Sequence, residues 1–321
     1  MPTHSRSRPP PSAAQETALP AQEYDPGFEN SFVANLLGRT AGAPQDTRIT
    51  SEDVIYEQLA HRVIYQGALR PDDQALFAQW GYDPNWRLVE GAEGLQVALI
   101  LPAQGSTRVP VIVFRGTEPA ELADLKADLA PEIGQTQYDA NREVIDGLFR
   151  EAGRCDVIGH SLGASLAQRA AVEHPGAIRR VVGFQAPGID HDRVEQFERQ
   201  GNKPEVTYHL AEKDMVDLGG EEHLPGTFFT HKPKMFGSIL GSHVGYLLLS
   251  PQYRAAREEA GLTDEVLDRL DADNADLFGV EHDVSSLDEV HPADRRSEYW
   301  RPDRKREIEE LRKGLGGALA F

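Results

Sequence analysis

The chain has 321 residues, 40% of them hydrophobic and 26% charged, a length that suits one sizeable core, since single cores stop growing at roughly 250–300 residues. Its 52 acidic against 33 basic residues leave a net charge of −19, which repels phosphate backbones and anionic bilayer faces and argues against a nucleic-acid partner. No apolar run approaches the ~18 residues of a membrane span, and the single cysteine, Cys155, leaves no disulfide framework and no Cys-based zinc cluster.

Residues 1–27 carry Pro2, Pro9, Pro10, Pro11, Pro20 and Pro26 among Ser, Thr and Gln. Such a mixture buries too little apolar surface to offset ordering, so a disordered tail is expected. The positive charge near its start is followed by no apolar stretch, so it does not read as a Sec-type signal. Without such a signal the protein is expected to be cytoplasmic, or exported by a dedicated secretion system. From Glu52 to Gln66, Ile55, Leu59 and Val63 recur every fourth residue and predict a helix. Leu95–Leu101 and Val109–Phe114 are short apolar runs, the first bounded by Gly94 and Pro102, as buried strands would be. Thr136–Ala152 follows as a helix ending at Gly153. Cys155–Gly159 predicts a strand that turns directly into a small-residue helix over Leu162–Val172; strands at Val181–Phe184 and Val206–Leu210 follow. Strands alternating with helices imply an α/β fold with a mainly parallel sheet and helices on both faces. A core domain over 28–250 is expected, then an acidic, mainly helical appendage over 251–321, where Thr263–Asp294 holds eleven acidic residues against one base, Arg269. Asp271, Asp273, Asn274 and Asp276 invite a calcium-loop reading, but Asp276 stands where the template needs Gly and His282 where it needs Glu. No metal site is expected.

Chemistry concentrates at Gly159-His160-Ser161-Leu162-Gly163. A G-x-S-x-G sequence alone is a weak signal, but here it joins an apolar strand to a small-residue helix, the setting of a nucleophile elbow. Ser161 is then the nucleophile, and the backbone N–H of Leu162, at the start of the helix, faces a developing oxyanion. A serine needs a base and the base a carboxylate. Asp190, Asp192, Asp214 and Asp217 lie near later strand ends; Asp214 follows the best strand and Asp190 is the runner-up. Of the downstream histidines, His243 opens an apolar segment after the Gly241-Ser242 turn, which suits a base on an anchored loop. The stretch Gly219–Ser242 carries Phe228, Phe229 and Phe236 and is expected to be a lid or acyl-chain wall, with a satellite core as the alternative. Lys232 and Lys234 beside it would then meet anionic head groups.

These motifs resemble the class 3, fungal-type lipases of the α/β-hydrolase fold, and especially their bacterial toxin-associated relatives. The likeness covers residues 52–250. Val111–Thr117 looks like the family's FRGT strand end, which carries an oxyanion role to Thr117; Asp124–Leu129 is similar to its D-x-x-x-D-L stretch, and Phe184–Gly188 to its F-x-x-P-G segment. Asp214-Met215-Val216 fits the D-x-V element of its acid, and His243 precedes Tyr246 as its histidine precedes an aromatic. Ala164 departs from the second glycine the family often has there. The resemblance implies a cofactor-free lipase or phospholipase working through an acyl-enzyme on a lipid or other ester, with transient contact at a membrane surface. For the toxin-associated relatives it also implies a secretion-system, chaperone or immunity partner. A hydrolase of small soluble esters or thioesters, a peptidase and a non-catalytic binding protein on the same fold are the alternatives.

Overall fold

The computed structural model describes residues 49–66, 69–117, 134–211, 214, 216, 219–232, 243, 245–249, 253–270 and 286–291. The expected tail at 1–27, Asp124–Leu129, Lys234, Phe236 and the acidic cluster at 271–282 lie outside these residues.

The first helix, α1 (Ser51–Gln58), opens on a capping box: the Asp53 N–H donates to the Thr50 hydroxyl (3.3 Å) and the Thr50 N–H to the Asp53 carboxylate (2.8 Å). It widens into a π-helical turn at Leu59–Val63 before Ile64–Gln66. A second helix, α2 (Pro71–Trp80), begins on proline and ends on Gly81 at φ 79°, where a side chain would be strained.

Eight strands then form one sheet in chain order: β1 (Arg87–Glu90), β2 (Gln96–Ile100), β3 (Val111–Phe114), β4 (Cys155–His160), β5 (Ile178–Phe184), β6 (Glu205–Ala211), β7 (Thr227–Lys232) and β8 (Ser286–His291). Pairs β1–β2, β2–β3 and β7–β8 are antiparallel; β3 to β7 run parallel. Because the sheet grows in one direction, right-handed crossovers must lay their helices on a single face. They do. The helices α4 (Arg142–Ala152), α5 (Leu162–Glu173) and α6 (His191–Glu198) all pack in one cluster with Ile112, Phe114, Val157, Val181 and Tyr208. The opposite face, Val111, Val113, Ile158, Val182 and Phe184, is covered by α1, α2, Leu247–Leu249 and residues from 253 to 270. The expected α/β-hydrolase architecture, a mainly parallel sheet with helices on both faces, is the one observed. Tyr253, Ala260, Leu262 and Leu270, from the stretch expected as an appendage, are buried in this second cluster, and the short helix α7 (Arg254–Glu259) runs among them.

Two elements depart from the sequence expectation, the helix at 136–152 and the aromatic stretch at Phe228 and Phe229. The helix expected over 136–152 is two, α3 (Gln135–Ala140) and α4, because Asn141 leaves helical geometry (φ −120°, ψ 15°) to bind the backbone of Ala92 through both its amide atoms. Asp190 caps α6 and pairs with Arg169 (2.7 Å), so the runner-up acid serves structure. Phe228 and Phe229 do not lie on a lid: they sit in β7, 3% and 4% exposed, and point to opposite faces of the sheet. Phe228 stacks on Tyr208 and Phe229 on His209. Two adjacent aromatics, one buried on each face, are what a strand covered on both sides accommodates.

Candidate active site

Ser161 occupies the turn between β4 and α5 at φ 57°, ψ −129°, a conformation that costs a non-glycine residue of order 1–3 kcal/mol. Its N–H donates to the Phe184 carbonyl (3.0 Å). A Cβ at 159 would come within 2.3 Å of the Gly163 carbonyl carbon, and one at 163 within 2.2 Å of the Phe114 oxygen. Both glycines are therefore needed for α5 to fold back against β4 and β3, and this is what holds the serine in its strained turn.

The structure brings Ser161, His243 and Asp214 together. His243 Nε2 lies 2.8 Å from Ser161 Oγ, and His243 Nδ1 lies 2.9 Å from Asp214 Oδ2. The other oxygen, Asp214 Oδ1, accepts the N–H of Val216 at 2.9 Å, which fixes the carboxylate plane. All three residues are buried. A carboxylate can only accept, so the imidazole proton sits on Nδ1 and leaves Nε2 bare to accept from the serine hydroxyl.

Thr117 and Leu162 line one cavity of about 390 Å³, with Glu93, Gln96, Arg115, Gly116 and Gln137 around it. Gly116 brings the loop after β3 against the elbow; a Cβ there would stand 2.5 Å from the His160 carbonyl and 3.2 Å from the Ser161 Cβ. Thr117 is thus set beside the first residue of a twelve-residue helix, whose N-terminus favours negative charge. Five later histidines have partners elsewhere: His174 stacks on Phe149, His191 meets Glu222, His223 meets the Ala186 carbonyl, and His209 meets His231. Among the described residues no group of three or more His, Cys, Asp or Glu is placed to hold a metal ion.

Four residues around this chain of contacts were not singled out by sequence reasoning. His160, inside the pentapeptide, donates Nε2–H to the His243 carbonyl (2.9 Å), and its ring lies 3.9 Å from that of His61 in the π-helical turn. Gln185, at φ 40°, donates to the Gly245 carbonyl (2.8 Å). Glu57, in α1, accepts from the N–H groups of Leu247 and Leu248. Only the π-helical turn and the pentapeptide itself could have signalled them, and a π-turn is invisible in a four-residue repeat.

Burial links the fold to pH. It pushes the imidazoles of His160, His209 and His231 well below their ordinary range, helped by the neighbouring imidazoles at His160 and His231 and by Arg180 at His209. It pushes Glu57 up to about 8. Each histidine is neutral when folded, so its contribution is complete above the unfolded value near 6.5 and is lost as pH falls, by about 1.4 kcal/mol per unit. Glu57 acts the other way: the folded chain keeps a proton that the unfolded chain has released, so its contribution declines as pH rises from about 4.5 to 8. Urea midpoints should therefore peak near pH 6.5, fall steeply below it and fall gently above it. A midpoint that keeps rising from pH 6.5 to 8 would contradict the Glu57 part, and one level between pH 6.5 and 5 the histidine part.

No protein-family model and no curated protein matches the chain. Among solved structures it is similar to lipase II from Rhizopus niveus, at 16% identity over 56% of this chain and 79% of that one, with a TM-score of 0.43. It is also similar to a thermostable esterase from Pseudomonas putida (14% identity, 60% and 79% covered, TM-score 0.27) and a siderophore hydrolase from Aspergillus nidulans (10% identity, 64% and 85% covered, TM-score 0.26). No helix among the described residues is long and apolar enough to cross a membrane.

Proposed function

We propose that the chain is a serine carboxylic-ester hydrolase, a lipase or phospholipase in substrate class, with Ser161 as nucleophile, His243 as general base and Asp214 as its orienting carboxylate. The observation that carries this reading is the continuous hydrogen-bonded chain Asp214–His243–Ser161 ending on a strained elbow. His243 Nε2 takes the hydroxyl proton as Ser161 Oγ attacks the ester carbonyl; the charge that develops on the carbonyl oxygen is held by the backbone N–H groups of Thr117 and Leu162. The imidazolium, stabilised by Asp214, returns the proton to the leaving alcohol, and water then attacks the acyl-enzyme by the same route.

The lipid class draws its support from the strand-end, D-x-V and elbow motifs. A second reading, a small soluble ester or thioester, is favoured by Phe228 and Phe229 lying in the core and by the polar lining of the cavity beside Thr117. Mass-spectrometric product analysis of mixed phospholipids and acylglycerols, run beside a series of soluble esters of increasing chain length, separates the two. Fatty acid release from the lipids, absent in Ser161→Ala, is expected; turnover confined to short soluble esters would select the second reading. Fluorophosphonate should label Ser161 alone, and an unlabelled wild type would remove both.

A further inference from the structure

The segment that follows His243 belongs to no helix or strand over 245–249, yet Leu247 and Leu248 are 1% and 0% exposed. Buried backbone N–H groups outside regular structure must find an acceptor or cost the full desolvation of the group. Glu57 supplies it. Its Oε1 accepts from Leu247 and, at 3.0 Å, from Leu248, whose N–H also lies 3.1 Å from Oε2. A carboxyl with 0% exposure is an expensive way to fill an apolar helix face. What it secures is the position of the main chain it holds.

We infer that Glu57 is a positioning residue for the base: by gathering the two N–H groups four and five residues beyond His243, it holds the imidazole within reach of Ser161. This rests on the hydrolase reading above. Two further side chains act on the same stretch, His160 on the His243 carbonyl and Gln185 on the Gly245 carbonyl. The backbone from His243 to Leu248 is thus tied at four points by residues from α1, the elbow strand β4 and the turn after β5. The tie at Glu57 is the most distal in sequence and the one that bridges to the helical layer. Catalytic groups tolerate displacement of only about 0.5 Å, and 1 Å costs about a hundredfold. Glu57 carries its proton through neutral pH, so an uncharged amide is the closest replacement.

The test compares Glu57→Gln, which keeps a neutral acceptor, with Glu57→Met, which keeps the shape and removes it. All proteins are held well below their melting temperatures, so that only folded molecules are read. The rate of fluorophosphonate labelling and the low-field resonance of the His243 Nδ1–H are measured, with kcat and KM on a short soluble ester. Expected is labelling within about threefold of wild type for Glu57→Gln, and about thirty- to a hundredfold slower for Glu57→Met, with kcat reduced, KM unchanged and the resonance lost. A purely structural role would lower the melting temperature of Glu57→Met but leave folded molecules labelling at the wild-type rate with the resonance intact, and that result overturns the inference. So does a Glu57→Gln protein as slow as Glu57→Met. Should Glu57→Met not fold, Glu57→Asp replaces it: its acceptors retreat by one methylene, and a labelling rate at least about tenfold below wild type is expected, wild-type labelling being the overturning result. Should the wild type itself resist the reagent, the hydrolase reading falls, and the resonance alone decides: its loss in Glu57→Met supports the role of Glu57, its persistence overturns it.

Discussion

Ser161→Ala is expected to bring hydrolysis of a short chromogenic ester to background, a loss on the order of 10⁶-fold in kcat, with the melting temperature almost unchanged. His243→Ala should cost nearly as much, because a nucleophile without its base is as inert as a missing one, and Asp214→Asn about 10⁴-fold, because the amide favours the wrong tautomer. His223→Ala and Asp190→Asn serve as controls; their partners, the Ala186 carbonyl and the α6 N-terminus, are structural, and the folded variants should keep activity within about tenfold. Ser161→Gly adds a thermodynamic readout. It should be as inactive as alanine yet more stable by about 1–2 kcal/mol, since glycine adopts φ 57° without strain. Activity within tenfold of wild type in Ser161→Ala would end the hydrolase reading.

The second large effect concerns β7. Phe228→Ala and Phe229→Ala should each destabilise the protein by about 3–5 kcal/mol, a large share of the total for any domain. At about 2–4 °C per kcal/mol for a domain of this size, each should lower the melting temperature by about 6–20 °C. Per folded molecule, hydrolysis of long- and short-chain esters should fall together or not at all. Phe228 fills the space between Tyr208 and the crossover helices, while Phe229 closes over His209 beneath α1, so neither faces a substrate. An unchanged melting temperature with a selective loss on long-chain esters would return both residues to a lid.

These two predictions mark how far the sequence could be read. Local signals were strong where backbone geometry dictates residue type: the glycines at 159 and 163 can be nothing else, so the elbow, its strand and its helix were all legible, and so was the parallel sheet that they imply. Asp214 and His243 were placed near strand ends by elimination and by short motifs, and their contact with Ser161 became visible only through a fold that joins residues 29 and 82 positions apart. The aromatic pair misled because a strand buried on both faces and an apolar flap share one composition; only the neighbours on either side, Tyr208 and His209, distinguish them. Glu57 was hidden for a related reason. An acid in an amphipathic helix reads as a solvated position, and what reverses that reading is the loop it meets 190 residues later.

That separation also dictates an order of assembly. One face of the sheet is covered by helices from residues 51–80 together with segments from 245–270, so the early helices leave the ribosome before either the sheet or those segments are made. At about 5–20 residues per second, the wait between Glu57 and Leu247 lasts roughly ten to forty seconds. During it the elbow strand and the crossover helices are made and can fold, while α1 presents Val54 and Ile55, and the π-helical turn Leu59, to solvent or to a chaperone. The nascent chain therefore acquires its nucleophile well before it can lock its base, and competence waits for the segment after His243 to be made.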